Sequence, residues 1–299
     1  MNRAAQILNH LGPRRMLTLA VSAALVTALY AAADWHAVAT ALSHLDMTWF
    51  AAAMLMFVPQ TLVSAARWRV LVAMETDITL ADAVRQTLAA SAANLILPAK
   101  AGDLTKAGMI PVADSSARWR LGRWAVFEKA TDVAALAGWL LAGALGVALG
   151  LSATITATAL AIGIGWSLVA SRQRANWRPG VLLATVAFST ALWSLHLVQI
   201  HFMLHSAGVT ESWQETLFRV PPAIFAGLLP LTSCGIGTRD ATLVWMFRDI
   251  APASQVAAVG VLTALRYLVP GAIGIALVGR YLPGRSAESA ASALPQSTA

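Results

Sequence analysis

One segment of the sequence combines proline, glycine and charge between apolar stretches. Pro98 ends any preceding helix and frees backbone groups, and Gly102 lets the chain turn into a new helix whose first turn holds Asp103. A helix N-terminus offers unpaired N–H groups and the positive end of a dipole to an anion. The segment therefore predicts a binding site for an anionic group such as phosphate.

Side chains around this proline add charge and hydrogen-bonding capacity. Lys100 and Lys106 contribute two cations, and Asn94 contributes a neutral amide. The two lysines would complete a cradle for a phosphate. The alternative is that both lysines extend to the membrane surface and bind any anionic headgroup there.

A second segment repeats the order of proline, glycine and acid. Pro230 is followed by Gly235 and Gly237, which permit a tight backbone that can approach a ligand. Arg239 then offers a planar fork suited to phosphate or carboxylate. Asp240 would lie in the first turn of the next helix, where capping the backbone N–H groups or holding Arg239 in place is an equally good role.

Charged residues also interrupt the apolar runs, where ionisable side chains are costly and usually face a cavity or form pairs. Glu128 and Asp132 are four residues apart and so share one helix face. Arg266 precedes Arg280 by 14 residues, which places it about 20 Å along the helix, near mid-bilayer. It is the predicted counter-charge of the two carboxylates. The alternative for Glu128 and Lys129 is an exposed position near the cytoplasmic interface.

Patterns for metal, nucleotide or nucleophilic chemistry do not accompany these segments. His201 and His205 share a helix face, but no carboxylate lies at ligand spacing, which argues against a metal site. The sequence has neither a GxxxxGK[ST] loop nor a GxSxG elbow, so ATP hydrolysis and serine hydrolysis are unsupported. The single cysteine, Cys234, cannot form an internal disulfide. We expect no metal, no cofactor and no catalytic residue.

The elements that must position these residues are membrane helices. Of the 299 residues, 58% are hydrophobic and 12% are charged, against about 25% charged in soluble domains. This composition excludes an ordinary soluble enzyme. Apolar runs near the roughly 18-residue minimum for a span predict about six full crossings, and two further stretches broken by proline, glycine and charge predict re-entrant or broken helices. The six runs are 16–33, 47–66, 124–150, 151–170, 181–204 and 255–278, and the broken stretches are 84–110 and 217–247.

The distribution of arginine predicts the orientation, because short cytoplasmic loops carry the excess of positive charge. With the N-terminus inside, thirteen arginines fall on cytoplasmic segments and one or two on external ones. The short clusters between apolar runs also exclude a nucleic-acid-binding stripe, despite a net charge of +7. The alternative for 16–33 is a cleaved signal peptide. The thirteen are Arg3, Arg14, Arg15, Arg67, Arg69, Arg118, Arg120, Arg123, Arg172, Arg174, Arg178, Arg280 and Arg285.

Together these features predict an all-α polytopic membrane protein built as an inverted repeat. A basic cytoplasmic N-terminus (1–15) precedes the first membrane repeat (16–150), the second, inverted repeat (151–282) and a disordered tail (283–299). The first broken stretch would enter from the cytoplasm and the second from outside. Inverted repeats with paired interrupted helices are typical of transporters whose site lies near the membrane midplane. The alternative is two unrelated proline kinks in a helix bundle.

Four motifs in this order resemble the transmembrane region of lysylphosphatidylglycerol synthases and their stand-alone relatives. The resemblance implies an eight-segment, flippase-like membrane domain that moves lipids with charged or glycosylated headgroups between leaflets. The full synthases add a large soluble aminoacyl-transfer domain, which this chain lacks, so lysyl transfer from tRNA is not expected. The motifs are Arg67-Trp68-Arg69, Pro-Ala-x-Ala-Gly-Asp within 94–103, Glu128-Lys129-x-x-Asp132 and Gly-x-Gly-x-Arg-Asp within 230–240.

The sequence therefore predicts a lipid flippase-like protein of the inner membrane, with both termini cytoplasmic and a phosphate-bearing, aminoacylated or glycosylated lipid as substrate. Membrane lipids are the expected partners, lipid-synthesis enzymes are further candidates, and nucleic acid is not a partner. One alternative is an intramembrane enzyme that modifies a headgroup with Glu128 or Asp132 as base. The other is a non-catalytic partner of a lipid-synthesis complex.

Each predicted site residue has a role in this hypothesis. The anion-binding cations are Arg239, Lys100 and Arg266. The carboxylates that hold these cations or recognise an amino or sugar group are Asp103, Glu128, Asp132 and Asp240, with Asn94 as a neutral hydrogen-bonding group. The residues that shape the backbone are Pro98, Gly102, Pro230, Gly235 and Gly237.

Overall fold

The structure, a computed structural model, describes residues 35–95, 97–112, 114–150, 179–228, 237–279 and 281. Within these ranges the chain is helical and forms no strand, which confirms the predicted all-α class. The helices are α1 (Trp35–Ser43), α2 (Met47–Leu55), α3 (Phe57–Val72), α4 (Leu80–Asn94), a 3₁₀ helix (Pro98–Met109), α5 (Ser115–Leu149), α6 (Pro179–Ser206), α7 (Trp213–Leu228), α8 (Thr238–Phe247) and α9 (Ala253–Val278).

Four helical stretches of the described chain are long and apolar enough to cross a membrane. One comprises α2 and α3 together, Met47–Val72, and the others lie in α5, α6 and α9. They correspond to four of the six predicted runs. The runs 16–33 and 151–170, the N-terminus 1–15 and the tail 283–299 lie outside the described residues, so the count of six crossings remains a prediction.

Large apolar side chains on the outside of these helices follow helical spacing. On α5, Leu141, Leu145 and Leu149 are 62%, 55% and 64% exposed. On α9, Leu268 and Ile275 are seven residues apart and also more than half exposed. Side chains four and seven positions apart lie on one helix face. Continuous apolar stripes of this kind are unfavourable in water, and they fit contact with lipid.

Polar side chains fix the starts of several helices. Asp46, Thr79 and Asp114 accept backbone N–H groups from the first turns of α2, α4 and α5. Such caps satisfy donors that have no partner inside the helix. At α5, the side-chain hydroxyl of Ser116 also donates to Asp114, and this bond holds the pKa of the Asp114 carboxyl below its usual value.

Both predicted broken stretches form helical hairpins. In the first, α4 ends at Asn94, and the 3₁₀ helix begins at Pro98 and packs back against α4. In the second, α7 and α8 pack against each other. Proline is favoured at a first helical position, where its missing N–H would have no partner anyway. The prediction that the new helix begins after Gly102, with Asp103 in its first turn, is therefore wrong.

Gly102 has a packing role inside the first hairpin. It lies within the 3₁₀ helix, where a Cβ atom would lie 2.5 Å from the backbone nitrogen of Asn94 and 2.7 Å from the carbonyl oxygen of Ala90. Real Cβ atoms do not approach other atoms so closely. Glycine at this position therefore lets the two arms of the hairpin touch, rather than starting the second arm.

In the described structure, the hairpin of each half packs against the last long helix of the other half. The first hairpin packs through α4 against α9, the last long helix of the second half. The second hairpin packs through α7 against α5, the last long helix of the first half. In addition, α3 and α6 pack against each other. This exchange fits a two-repeat architecture, and the opposite polarity of the repeats remains a prediction.

Glycines lie at both reciprocal contacts between a hairpin and a long helix. A Cβ atom on Gly143 of α5 would lie 2.2 Å from the carbonyl oxygen of Leu217, and one on Gly274 of α9 would lie 1.9 Å from the carbonyl oxygen of Leu88. Small residues let helix backbones approach closely in membranes, where packing drives association. In each half, a glycine of the last long helix thus allows close contact with the backbone of the opposite hairpin.

We expect Gly143→Ala and Gly274→Ala each to lower the free energy of unfolding by about 1–3 kcal/mol, because the added methyl group forces two backbones apart. Thermal unfolding in detergent, followed by tryptophan fluorescence, measures the effect. Gly122→Ala in α5 is the matched control, because a Cβ atom there meets nothing within 4 Å and alanine favours helix. Equal melting temperatures for all three variants would contradict the close-contact interpretation.

Candidate functional site

A cavity of about 250 Å³ lies between the two halves of the described structure. Each of the four candidate spans reaches it near its midpoint, through Gln60, Asp132, Trp193 and Arg266. Both hairpins contribute to its wall. In a bundle that spans a bilayer, a cavity at the midpoints of the spanning helices lies near the membrane midplane. Of the predicted site residues, those lining it are Asn94, Asp103, Asp132 and Arg266.

Arg67 is the centre of a buried ion cluster in the wall of this cavity. Its Nη2 donates to Oε1 of Glu128 at 2.8 Å, and its Nη1 donates to Oδ1 of Asp132. Its Nη1 also donates to Oγ of Ser189 at 2.7 Å. The prediction that Arg67 is a cytoplasmic loop residue and that Arg266 neutralises the two carboxylates is wrong. The reason is that α3 continues to Val72, beyond the apolar run, so Arg67 stays inside the bundle.

Lys106 provides a second cation for Glu128. Its Nζ donates to both carboxylate oxygens, at 2.8 and 2.7 Å, and lies 5.0 Å from the ring centre of Trp68. Lys106 is 1% exposed and Glu128 is 3% exposed. The exposed interfacial position considered for Glu128 is therefore excluded. Lys106 serves an internal ion pair instead of a phosphate cradle, because the 3₁₀ helix turns it towards α5.

Lys129 and Asp103 form the part of the cluster that borders the cavity. Nζ of Lys129 donates to Oδ2 of Asp103 and lies 3.6 Å from Oδ2 of Asp132. Nδ2 of Asn94 donates to the other oxygen of Asp103 at 2.7 Å. The side chains of Lys129 and Asp103 are each 27% exposed. The predicted interfacial alternative for Lys129 does not hold, because its ammonium group points into this network.

The cluster as a whole is electrically balanced. It brings together three carboxylates and three cations, and every one of them has an oppositely charged partner. Buried charges are tolerated when they are paired in this way. The carboxylates thus hold cations in place, as expected from the sequence, and of these cations only Lys106 was predicted to bind an anion. The six groups are Asp103, Glu128 and Asp132 with Arg67, Lys106 and Lys129.

Arg266 of α9 makes no ion pair with any described residue, although it is only 5% exposed. Its Nη1 donates to Oε1 of Gln199 at 3.1 Å, and its Nη2 donates to Oη of Tyr267 at 2.7 Å. Gln60 donates to the same Gln199 oxygen at 3.0 Å. Nε of Arg266 has no hydrogen-bond partner in the described part of the chain. A buried guanidinium that lines a cavity and has no carboxylate partner can bind an anion.

Arg239 and Asp240 form a separate buried pair at the start of α8. Nε of Arg239 donates to Oδ1 of Asp240 at 2.8 Å, and its Nη2 donates to the carbonyl oxygen of Gly260 at 3.3 Å. Oδ2 of Asp240 accepts the N–H of Gly237, whose φ of 98° lies in the region that favours glycine. Asp240 therefore caps α8 and holds Arg239, the role that the sequence left open. Neither charged residue lines the cavity.

Four predicted positions fall outside what the structure describes. Pro230 and Gly235 belong to the undescribed range 229–236, and the side chains of Pro98 and Lys100 are not described. Their expected contributions to ligand binding therefore remain predictions. Of the described members of the two segments, Asn94 and Asp103 line the cavity.

Sequence reasoning missed the amides Gln60 and Gln199. Gln199 is 1% exposed, and its Nε2 donates to the carbonyl oxygen of Ala53 at 2.8 Å, which aims its Oε1 at Arg266. A signal was present, because each amide interrupts an apolar run well inside a spanning helix. A neutral amide costs less than a charge within a membrane, so this signal is weaker than that of an ionisable residue.

Comparison with known proteins gave one family match. Residues 15–274 match the sequence model of the family described as "Lysylphosphatidylglycerol synthase TM region". The matched range contains the ion cluster, both hairpins and Arg266. No curated protein was found to match the chain. The resemblance inferred from the four sequence motifs is confirmed by this match.

Proposed function

The chain belongs to the family of the lysylphosphatidylglycerol synthase transmembrane region, and from this premise we propose that it moves a phosphate-bearing lipid between membrane leaflets. Members of this family share a membrane domain, and this is consistent with a lipid-related role. The observation that carries the proposal is Arg266, a buried cation at the midpoint of a spanning helix that lines the cavity and has no ion-pair partner among the described residues.

The charge of the cavity supports an anionic substrate. The ion cluster is balanced, so among the described residues that line the cavity Arg266 adds one excess positive charge. A lipid phosphate would supply the missing negative charge and would accept hydrogen bonds from the guanidinium, which matches phosphate oxygens geometrically. Binding of the phosphate would thus offset the cost of burying Arg266.

The size and lining of the cavity support a small headgroup. About 250 Å³ is below the roughly 300–1,000 Å³ typical of pockets for drug-sized ligands, so the acyl chains would remain in the bilayer. Thr87, Ser91 and Asn94 on the first hairpin line the cavity, and Oγ1 of Thr87 has no hydrogen-bond partner among the described residues. Such groups suit the amine or hydroxyls of an aminoacylated or glycosylated headgroup.

The packing of the hairpins supports transport rather than static binding. Each hairpin is held by a long helix of the opposite half, and the cavity lies between the halves. In repeat-built transporters, one half rocks against the other and exposes a midplane site to each side in turn. The same arrangement would present a headgroup first to one leaflet and then to the other.

The carboxylates of the ion cluster support transport over headgroup modification. Asp103, Glu128 and Asp132 are each engaged by a cation in an internal ion pair, whereas a general base must be placed to take a proton from the substrate. The proposal therefore includes that the protein is not an enzyme. It also includes that the protein resides in the inner membrane with both termini in the cytoplasm. Lipid-synthesis enzymes would supply its lipid substrate.

Reconstitution into lipid vesicles tests the proposal. The purified protein is incorporated with trace lipids that carry a fluorophore on one acyl chain, and dithionite quenches the outer-leaflet fluorescence. We expect continued quenching for phosphatidylglycerol and its lysyl ester, and little for a phosphate-free diacylglycerol glucoside. Protein-free vesicles are the control. Equal rates for lipids with and without phosphate would contradict the anion site, and a change of lipid mass during incubation would indicate modification instead.

A further inference from the structure

A second group of polar side chains lies away from the cavity, where α6 ends and the chain turns towards α7. It consists of His201 and His205 of α6 and Glu211 of the connecting loop, and one candidate ligand atom from each lies within 4.8 Å of the others. Nδ1 of His201 lies 2.8 Å from Oε1 of Glu211. The sequence-based argument that no carboxylate accompanies these histidines is wrong, because the turn after α6 brings Glu211 back over the helix end.

Two polar atoms of this group lack a hydrogen-bond partner among the described residues. They are Nε2 of His205 and Oε2 of Glu211, and both are buried. The side chain of Glu211 is 0% exposed. Buried polar atoms of native proteins are nearly always satisfied, so two unsatisfied atoms within one group of candidate metal ligands require an explanation. A cation bound between the two side chains would accept lone pairs from both.

Neighbouring side chains hold the group in position. Oγ1 of Thr216 lies 2.9 Å from Nδ1 of His201 and donates to Oε1 of Glu211 at 3.1 Å. The ring of Trp213 stacks on His201 with centroids 3.9 Å apart. Contacts of this kind orient the ligands of metal sites and are part of their affinity. The three side chains are therefore prearranged rather than gathered from mobile loops.

We propose that His201, His205 and Glu211 bind a divalent metal ion, and that Zn²⁺ fits these donors best. Two imidazoles and one carboxylate form a donor set that zinc accepts, and its tetrahedral preference leaves a fourth position for water. The two histidines are four residues apart on α6, so they share a face, and the carboxylate closes the site from the loop. The ion would fix the start of the second hairpin to a helix that lines the cavity.

Metal analysis of the purified protein tests the site independently of lipid transport. The protein is prepared without a polyhistidine tag, incubated with Zn²⁺, freed of unbound metal and analysed by mass spectrometry for zinc. We expect one ion per chain. His205→Ala and Glu211→Gln should weaken Zn²⁺ binding by about tenfold or more. The matched control is His44→Ala, which removes an exposed histidine outside the group.

A stability measurement separates loss of the site from loss of the fold. Zn²⁺ should raise the melting temperature of the wild type and of His44→Ala, because an ion that binds only the folded state stabilises it. The melting temperatures of His205→Ala and Glu211→Gln should not respond to Zn²⁺. Zinc-free wild-type protein, or the same zinc content and the same thermal response in all four proteins, would overturn the proposal. In that case His201 and Glu211 form an ordinary hydrogen-bonded pair.

Discussion

Replacing Arg266 with glutamine is expected to reduce lipid translocation by about 10- to 100-fold. The reason is that a hydrogen bond to a charged group contributes roughly 1.5–3 kcal/mol, and each 1.4 kcal/mol corresponds to a factor of ten. The loss should be largest for lipids whose headgroup bears phosphate. The measurement is the dithionite assay in vesicles, with equal amounts of folded protein in each preparation.

The same substitution is expected to leave the stability of the protein unchanged or to raise it. Arg266 is buried and has no described carboxylate partner, so in the unliganded protein it is a cost rather than a gain. Glutamine removes the charge and retains the ability to form hydrogen bonds beside Gln199. A function lost while stability is kept distinguishes a ligand-binding residue from a structural one.

Two further variants sharpen the test of Arg266. Arg266→Lys keeps the charge but not the planar fork, so we expect partial activity. Arg248→Gln removes an exposed arginine that contacts the ring of Trp245, and it serves as the matched control with wild-type activity. Normal transport by Arg266→Gln, measured with the same headgroups, would refute the anion-binding role.

Replacing Glu128 with glutamine is expected to lower the free energy of unfolding by about 3–5 kcal/mol. Glu128 is the shared partner of Arg67 and Lys106, and all three side chains are buried. Neutralising it leaves buried positive charge without compensation, and removing one partner of a buried pair has this effect. Thermal unfolding in detergent should show a clear fall in melting temperature, and the variant should express poorly.

A double substitution tests whether the cause is charge imbalance. The double variant combines Glu128→Gln with Lys106→Met, so it loses one negative and one positive charge. Arg67 keeps its bond to Asp132 in this variant. We expect the double variant to be more stable than Glu128→Gln alone, which is the signature of coupled residues. Arg85→Gln is the control, because it breaks an exposed pair with Asp82 that contributes about 1 kcal/mol at most. If the change in unfolding free energy of the double variant equalled the sum of the changes for Glu128→Gln and Lys106→Met alone, charge imbalance would not be the cause.

The two results together would separate the two kinds of charge at the cavity. Glu128 belongs to a balanced network that joins α3, α5 and the 3₁₀ helix, so its loss should affect folding. Arg266 adds the excess charge, so its loss should affect binding. The sequence placed both residues in one group as candidate substrate contacts, because each is an ionisable residue in an apolar run and nothing local distinguishes them.

The sequence by itself determined the membrane character, the helices and the two interruptions. Four predicted runs recur as the long helices of the described structure, because the length and apolar composition needed to span a bilayer are properties of a continuous stretch of chain. The broken stretches were also predictable, since proline and glycine act on their immediate neighbours. Helix ends shifted by several residues where polar caps or buried charges extended them, as at Val72.

Only the tertiary structure decided which charges pair and which one is left over. Arg67 and Glu128 are 61 positions apart in the chain, Lys106 and Glu128 are 22 apart, and Gln60 and Gln199 are 139 apart. Electrostatic attraction depends on the distance between groups in space and on their burial, neither of which is a local property of the sequence. Of the two roles that the sequence predicted for Arg266, helix packing therefore gave the role of counter-charge to Arg67 and left Arg266 as the candidate anion-binding residue.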